Sequence, residues 1–184
     1  FEMVEFKFHC KMPIFVARQW VRHRTANINE YSLRYSEARD EFYLPDPEHI
    51  QFQSSLNKQG RLGEVSDSLK AKVSDYFQEI SNRSFEIYSE LNDAGVAREL
   101  ARAVLPVNLY TEWYWKNDLH NLLHFVGLRS DSHAQYEIRV FSDAMAESVK
   151  KVAPFAWEAY QDYVISGLRF SRIEQSLLEQ NLPE

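Results

Sequence analysis

A short segment near the start of the chain carries side chains suited to binding a nucleotide. The stretch RHRTANINEYSLRY, residues 22–35, combines arginine and histidine with amides, a carboxylate and a hydroxyl. Guanidinium groups bind phosphate through paired hydrogen bonds, and Asn, Ser and Glu can bind the edges of a base or a ribose. Helix stability alone is a competing explanation for Arg22 and Arg24, since cations are favoured near a helix C-terminus.

The chain as a whole is acidic, with 27 Asp and Glu against 21 Lys and Arg and a formal net charge of −6. A negative long-range field repels phosphate backbones, so a local basic cluster indicates a focused site rather than broad nucleic-acid binding. The single cysteine, Cys10, cannot form an internal disulfide, and no apolar run approaches the ~20 residues that span a bilayer. We therefore expect a cytoplasmic protein with neither a nucleic-acid nor a membrane partner.

A second group of candidate ligands follows in the later part of the chain. His120 and His124 are four residues apart on a predicted helix, a spacing that can hold a metal, with His133 as a third ligand. The segment lacks the glutamate of an HExxH motif, so histidines hydrogen-bonded on a half-buried face explain the pattern at least as well. Arg129 lies close to Asp131, where a carboxylate could orient its guanidinium toward a ligand. Neither a glycine-rich phosphate loop nor a serine-triad elbow is present in the sequence.

The elements that must position these residues are expected to form one α+β domain over residues 1–184. Strict alternation over residues 4–11 predicts a half-buried strand, and aromatic alternation over residues 109–116 predicts a second one. Residues 13–24 have helical spacing and begin with a proline suited to a first helical position. TANINEYS lacks either period and is expected to be a loop, so the opening cluster straddles a helix end and a loop.

The remaining segments are expected to be mainly helical. The polar stretch after EFYLPDPEH is interpreted as an exposed connection. A long amphipathic helix over residues 69–91 follows, with Gly95 as its C-cap, and ARELARAVL forms a shorter helix. Arg98 and Arg102 lie on one face of that helix, a pattern that surface solubilisation also explains. Residues 119–178 are again mostly helical, so the predicted fold is an antiparallel-rich sheet with flanking helices in excess.

Several segments together resemble the flavin-dependent thymidylate synthases, the ThyX family. The signature is RHRTANINEYS, an RHR followed by seven residues and a serine, and the likeness continues through PIFVARQW, EFYLP, ARAVLPVNLYT and LRSDSHAQYEIR. It covers residues 1–163 apart from the polar connection. Members of the family usually carry roughly fifty further residues upstream. That segment supplies a flavin-contacting His or Thr, and this sequence is expected to lack it.

The resemblance implies a homotetramer whose active sites are shared between subunits. Such an enzyme converts dUMP to dTMP, with methylenetetrahydrofolate as carbon donor, FAD as hydride carrier and NADPH as reductant, and no metal. Carried onto matching positions, the dUMP ligands are Gln19, Trp20, Val21, Arg22, Glu30, Tyr31, Ser32, Leu33, Arg34, Arg102 and Arg129. The FAD ligands, by the same transfer, are Arg22, His23, Arg24, Thr25, Glu30, Asp118, Leu119, His120 and His124. Arg34 and Arg102 are expected near the phosphate, and Arg129 at the uracil.

Methylation of uracil at C5 requires that carbon to become nucleophilic. Cys10 lies on the apolar face of its predicted strand, which disfavours the cysteine addition used by other thymidylate synthases. A fixed guanidinium at the N3–O4 edge can stabilise the enolate-like charge that develops, and Arg129 is the family-matched catalytic residue. Ser32 is interpreted as a hydrogen-bond donor to a ligand, since no base is predicted beside it.

Two alternatives to this enzyme stay open. One is a non-catalytic core of the same fold that binds a nucleotide or forms oligomers but does not hold flavin. The other is a helical metal-binding protein that uses His120, His124 and His133. Flavin absorbance and a metal assay on the purified protein distinguish the three hypotheses.

Overall fold

The structure is a computed structural model that describes residues 1–55 and 60–181. It divides into two compact units, residues 1–142 and residues 143–184, and each is described by itself. One domain over residues 1–184 stays a prediction.

The first unit is built on a three-stranded antiparallel sheet. Its central strand is β5 (Tyr110–Asp118), which pairs along its whole length with β1 (Glu5–Pro13) and at one edge with β2 (Asn27–Glu30). In register, Glu5 faces Asp118 and Asn27 faces Lys116. The two strands predicted from alternating residues, β1 and β5, are thereby confirmed.

The loop predicted over TANINEYS is wrong for Asn27–Glu30, which forms the edge strand β2. All four of its residues are exposed, so no apolar alternation marks the strand in the sequence. Helix α1 (Ile14–Trp20) is also shorter than predicted and ends at Trp20 rather than Arg24. Gln19 and Arg22 therefore do not share a helix face. The chain leaves the helix early in order to run antiparallel to β5, a tertiary requirement that local spacing does not contain.

The described residues of the polar connection are mostly exposed, as predicted, but they include regular structure. A single turn of 3-10 helix at Pro47–His49 precedes β3 (Gln51–Gln53), which pairs with β4 (Arg61–Glu64) in a separate two-stranded sheet. The sequence did not predict these two strands, because short exposed strands carry no alternation of apolar residues.

The predicted long helix is confirmed as α2 (Asp67–Asp93), which Ser66 caps by accepting a hydrogen bond from the backbone of Leu69. Gly95 ends it in a left-handed conformation at φ +78°, and the N–H of Val96 bonds to the carbonyl of Leu91. This is the hydrogen-bond pattern of a Schellman motif, and it confirms Gly95 at the helix terminus.

Three further helices belong wholly or partly to the first unit. The short helix predicted over ARELARAVL is α3 (Arg98–Ala101), continued as a 3-10 turn at Arg102–Val104. Helix α4 (Leu119–Arg129) follows β5 directly, and α5 (Tyr136–Val152) runs on into the second unit.

An aromatic core lies between the sheet and the helices of the first unit. Trp20 of α1 stacks on Phe125 of α4 at a ring separation of 4.9 Å and meets Trp113 and Trp115 of β5 edge-on. All four side chains are almost completely buried. Because removing a buried Trp or Phe side chain costs about 3–5 kcal/mol, this cluster fixes the positions of α1, β5 and α4 relative to one another.

The second unit contains α6 (Pro154–Tyr160), a π-helical turn at Gln161–Ile165, and α7 (Arg172–Asn181). Trp157 and Tyr160 are buried, whereas every residue of α7 is exposed. Among the helices of the described chain, none has the length and apolar composition needed to cross a bilayer.

Candidate functional site

Residues 22–25, the RHRT of the opening cluster, form one wall of a cavity of about 360 Å³. Helix α4 forms another wall, and the end of β5 closes the site. We call it the α4 cavity; its lining residues are Arg22, His23, Arg24, Thr25, Asn117, Asn121, His124, Leu128 and Arg129. Six of these nine were predicted as ligand contacts from the sequence. Residues separated by about a hundred positions thus meet in one site.

The most direct contact across this cavity joins Arg129 to His23. Nε of Arg129 donates a hydrogen bond to Nε2 of His23 at 2.9 Å. Burial, Arg129 and His124 together lower the pKa of His23 to about 4. Burial also lowers the pKa of Arg129, although a guanidinium stays protonated at neutral pH. A charged donor and a neutral acceptor therefore lie side by side, in place of the Asp131 contact that the sequence suggested.

The cavity also contains polar groups that sequence reasoning missed. Asn117 is buried on β5, and its Oδ1 has no hydrogen-bond partner among the described residues. A buried amide oxygen without a partner costs free energy unless a ligand or water supplies a donor. The signal was present in the sequence, because Asn117 continues the alternation of Trp113 and Trp115 and places an amide on the apolar face of the strand.

Asp118 does not reach the cavity, because it caps helix α4. Its carboxylate accepts from the backbone N–H of Asn121 at 2.9 Å and from the side-chain amide of Asn121 at 2.8 Å. Burial raises the pKa of Asp118, but these hydrogen bonds outweigh it and the net pKa is lowered. The cap holds Asn121 against the cavity, so Asp118 supports the site in this conformation.

The other predicted flavin ligands of α4 divide between surface and core. His120 and His124 are exposed, and only His124 lines the cavity. Leu119 is almost fully buried, and its assignment as a flavin ligand stays a prediction. Within the described residues, no group of three or more His, Cys, Asp or Glu could hold a metal ion. The metal hypothesis for His120, His124 and His133 therefore has no ligand set in this structure.

The predicted phosphate ligands lie apart from the cavity, at the far end of β2. We call Glu30, Ser32, Arg34 and Arg102 the distal cluster. The four residues of β2 span about 13 Å at ~3.3 Å per residue, with residues 22–25 before the strand and Ser32 after it. One chain therefore does not bring all the predicted nucleotide contacts into a single pocket.

The distal cluster is held by one partly buried contact and one exposed contact. Glu30 accepts a hydrogen bond from Thr111 on β5 at 2.7 Å. Nη2 of Arg34 lies 3.3 Å from a carboxylate oxygen of Glu99, and the side chains of both are more than half exposed. Arg102 is half-buried and follows Glu99 by three positions, so both arginines border the same helical turn.

The remaining predicted dUMP contacts have mixed placements. Gln19 carries a buried Oε1 without a partner among the described residues, as a ligand-binding amide would. Val21 is exposed, and Tyr31 donates to the backbone carbonyl of Glu37 at 3.0 Å. Trp20 has no exposed surface and Leu33 packs against a small apolar core. The assignment of Trp20 and Leu33 as dUMP contacts stays a prediction.

Two further sequence expectations concern nucleophiles. Cys10 is buried, and desolvation raises the pKa of its thiol to about 11, so the thiol is inert. The hydroxyl of Ser32 accepts a hydrogen bond from the backbone N–H of Arg34 at 3.3 Å. Neither group is activated as a nucleophile by its surroundings.

A separate ion pair elsewhere in the first unit shows how a buried carboxylate is held. Glu137 accepts hydrogen bonds from Arg61 at 2.7 Å and from Tyr43 at 2.8 Å, with only 4% of its side chain exposed. Both its oxygens are therefore used within the protein, and this pair fits a structural role.

Comparisons with known proteins place the chain among thymidylate synthases. A family model described as thymidylate synthase complementing protein matches residues 1–155. A flavin-dependent thymidylate synthase from Ehrlichia ruminantium (strain Gardel) is 51% identical over 180 residues, which cover 98% of this chain and 61% of that protein. A relative of the same name from Dictyostelium discoideum is 47% identical over 183 residues, covering 100% and 60%. The chain thus spans about three fifths of the length of these relatives.

Solved structures give the same result. The UMP/dUMP methylase PolB from Streptomyces cacaoi bound with 5-Br UMP has a TM-score of 0.82 and 33% identity, covering 86% of this chain and 73% of that one. The same protein bound with 5-Br dUMP has a TM-score of 0.79 and 32% identity, covering 86% and 71%. The predicted mixture of helices with an antiparallel sheet is confirmed. The chain therefore belongs to the flavin-dependent thymidylate synthase family, ThyX.

Proposed function

We propose that this protein converts dUMP to dTMP by reductive methylation. Methylenetetrahydrofolate is the carbon donor, FAD the hydride carrier and NADPH the reductant. The observation that carries the proposal is the α4 cavity, in which the family signature residues 22–25 meet Arg129. The names of the relatives and the halogenated nucleotides bound to PolB support the substrate class.

Arg129 is the residue we assign to the chemistry. Its guanidinium lies on the cavity wall, partly buried, and its charge is not paired with a carboxylate among the described residues. In a partly dehydrated site such a charge would stabilise the enolate-like negative charge on uracil O4 that makes C5 nucleophilic toward the methylene donor. The inert thiol of Cys10 supports a route without a covalent cysteine adduct.

The lining of the α4 cavity fits a flavin. Its charged groups are arginines, which attract an electron-rich ring system or a pyrophosphate, and Asn117 offers an unpaired amide oxygen to an N–H donor. Arg22, His23, Arg24, Thr25 and His124 are the residues we expect to hold it, with Asn117 as an addition to the predicted set. When bound and reduced by NADPH, the flavin would supply the hydride that completes the methyl group.

The distal cluster argues for a site completed by more than one copy of the chain. Ligand pockets for small molecules have volumes of about 300–1,000 Å³, so a cavity of about 360 Å³ holds one ring system rather than a whole dinucleotide. Because β2 separates the cavity from Arg34 and Arg102, a nucleotide phosphate and its base need surfaces from neighbouring subunits. We therefore propose active sites shared between subunits, in the homotetramer that the family resemblance implies.

Two measurements on the purified protein test the function. Flavin absorbance should be present, and tritium should be released from C5-labelled dUMP in the presence of methylenetetrahydrofolate and NADPH. A colourless protein that binds dUMP without tritium release would instead indicate the non-catalytic core. Sedimentation analysis tests the tetramer independently of activity.

A further inference from the structure

One hydrogen bond joins two residues that the family resemblance assigns to different ligands. Arg129 is the predicted contact with uracil and His23 a predicted contact with flavin, yet Nε and Nε2 of these residues are 2.9 Å apart. A guanidinium in a protein keeps its proton and can only donate hydrogen bonds. Nε2 of His23 must therefore be the acceptor, so the neutral ring carries its proton on Nδ1.

The surroundings of His23 favour this neutral tautomer. Burial lowers the pKa of His23, and Arg129 and His124 lower it further, to about 4. The other ionisable groups around the cavity are Arg22 and Arg24, and none of the described residues that line it is an Asp or a Glu. With cations nearby and no carboxylate in the lining, the imidazolium form is disfavoured at neutral pH.

The imidazole ring is also held in place by packing. It meets Phe125 edge-on, with ring centroids 4.8 Å apart and planes at 74°. Phe125 in turn stacks on the fully buried Trp20, whose carbonyl accepts a hydrogen bond from the backbone N–H of His23 at 2.9 Å. The acceptor nitrogen is thus fixed relative to the aromatic core, which is closely packed and resists displacement.

A neutral acceptor affects Arg129 differently from a carboxylate. A carboxylate would offset the charge of the guanidinium, as Glu137 does for Arg61. His23 leaves the charge uncompensated, and Nη1 and Nη2 of Arg129 have no hydrogen-bond partner within residues 1–55 and 60–181. Arg129 can therefore offer two donor nitrogens and its full charge to a ligand.

We infer that His23 is a positioning residue for Arg129: its unprotonated Nε2 fixes the guanidinium without neutralising it. The inference rests on the proposed function, in which Arg129 stabilises the charge on uracil. It gives His23 a role beyond contact with the cofactor, because the side chain acts on the reaction through Arg129.

An NMR titration tests the contact without any turnover. The protein is labelled with ¹⁵N-histidine, the signal of His23 is identified by its loss in His23→Gln, and wild type is compared with Arg129→Ala. We expect a neutral ring protonated on Nδ1 that titrates near pH 4 in the wild type and at higher pH in Arg129→Ala, since one cation is gone. A proton on Nε2, or identical titrations in the two proteins, would overturn the inference.

Turnover provides the second readout, with two complementary variants. His23→Phe keeps an aromatic ring beside Phe125 but has no acceptor, whereas His23→Gln keeps a neutral acceptor without the ring. We expect turnover to fall about 10- to 100-fold in His23→Phe, because a catalytic group is displaced, and to recover in part in His23→Gln. Flavin absorbance is measured in each variant so that loss of cofactor is recognised.

The double variant His23→Phe/Arg129→Ala distinguishes a positioning role from a general structural one. If His23 acts through Arg129, adding His23→Phe to Arg129→Ala should lower turnover by less than about 2-fold. An equal effect of His23→Phe in both backgrounds would contradict the inference. A wild-type protein that releases no tritium would instead refute the proposed function, and the titration would then decide the His23 contact alone.

Discussion

Arg129 and Arg34, two arginines predicted to bind the same nucleotide, are held in opposite ways. Arg129 lies in the α4 cavity and donates to a neutral imidazole. Arg34 lies in the distal cluster and bonds to the carboxylate of Glu99, with both side chains more than half exposed. The guanidinium of Arg129 is fixed in position, but no carboxylate among the described residues neutralises its charge. The guanidinium of Arg34 is paired with a carboxylate, but the pair is exposed and therefore less firmly fixed.

The different surroundings of Arg129 and Arg34 suit the two different roles that we propose for them. A group that stabilises charge in a transition state should be fixed beforehand and keep its full potential in a poorly hydrated site. A group that captures a phosphate can exchange one anion for another, because an exposed ion pair is worth only about 0–1 kcal/mol. We therefore expect changes in the α4 cavity to affect turnover and changes in the distal cluster to affect dUMP affinity.

The largest effect is expected for Arg129→Ala. Removing the donor that stabilises the developing charge should lower turnover at least about 100-fold, while flavin absorbance stays. Tritium release from C5-labelled dUMP measures the rate. Arg83→Ala is the matched control, since within the described part of the chain Arg83 pairs only with the exposed Glu86 on α2. A near-normal rate in Arg129→Ala would refute the catalytic assignment.

Arg102→Ala should instead weaken dUMP binding with little change in flavin content. Loss of one charge-assisted hydrogen bond, worth about 1.5–3 kcal/mol, corresponds to roughly 10- to 100-fold in KM. Titration calorimetry with dUMP measures the affinity directly. Arg98→Ala on the same helix is the control, because Arg98 bonds to Glu37 and the carbonyl of Tyr35. A fall in kcat with unchanged KM would remove the distinction between the two regions.

Thr111→Val tests whether Glu30 needs its partner on β5. The substitution keeps the shape of the side chain but removes the hydroxyl that donates to Glu30 at 2.7 Å. A net hydrogen bond of about 0.5–1.5 kcal/mol predicts a 2- to 12-fold loss of affinity, measured for dUMP and FAD separately. Ser74→Ala, which removes a hydroxyl bonded to the backbone of α2, is the control. Unchanged affinities for both ligands would exclude an orienting role.

The smallest effect is expected for Glu99→Gln, and it has the opposite sign. Neutralising Glu99 frees Arg34 from its exposed ion pair, so dUMP should bind up to about 5-fold more tightly at low salt. The gain should shrink as ionic strength rises, because exposed charges are screened. Weaker binding in this variant would mean that Glu99 orients Arg34 rather than competing with its ligand.

The sequence was sufficient to predict the strands and the helix in which buried and exposed residues recur at regular spacing. β1 and β5 alternate between core and solvent, and α2 carries an apolar face with Ser66 at one end and Gly95 at the other. The sequence did not predict β2, because all four of its residues are exposed and show no apolar alternation. This edge strand is held by its hydrogen bonds with β5 rather than by burial. The same holds for the short pairing of β3 with β4.

The family signature likewise selected the residues of the site but not their arrangement. RHRTANINEYS and LRSDSHAQYEIR named Arg22, His23, Glu30 and Arg129 as ligands, since residue type and spacing suffice for recognition. The division of these residues between the α4 cavity and the distal cluster followed only from the length and direction of β2. Asn117 was overlooked because a single amide on an apolar strand face has no motif of its own.

By itself, the sequence determined the family of the chain and predicted six of the nine residues that line the α4 cavity. The tertiary structure decided which residues act together, because the bond between His23 and Arg129 spans 106 positions and depends on α1, β5 and α4 packing around one aromatic core. Residue types and their spacing along the chain are enough to predict which ligands could bind. The protonation state of His23 and the unneutralised charge of Arg129 depend instead on burial and on side chains that folding brings close together.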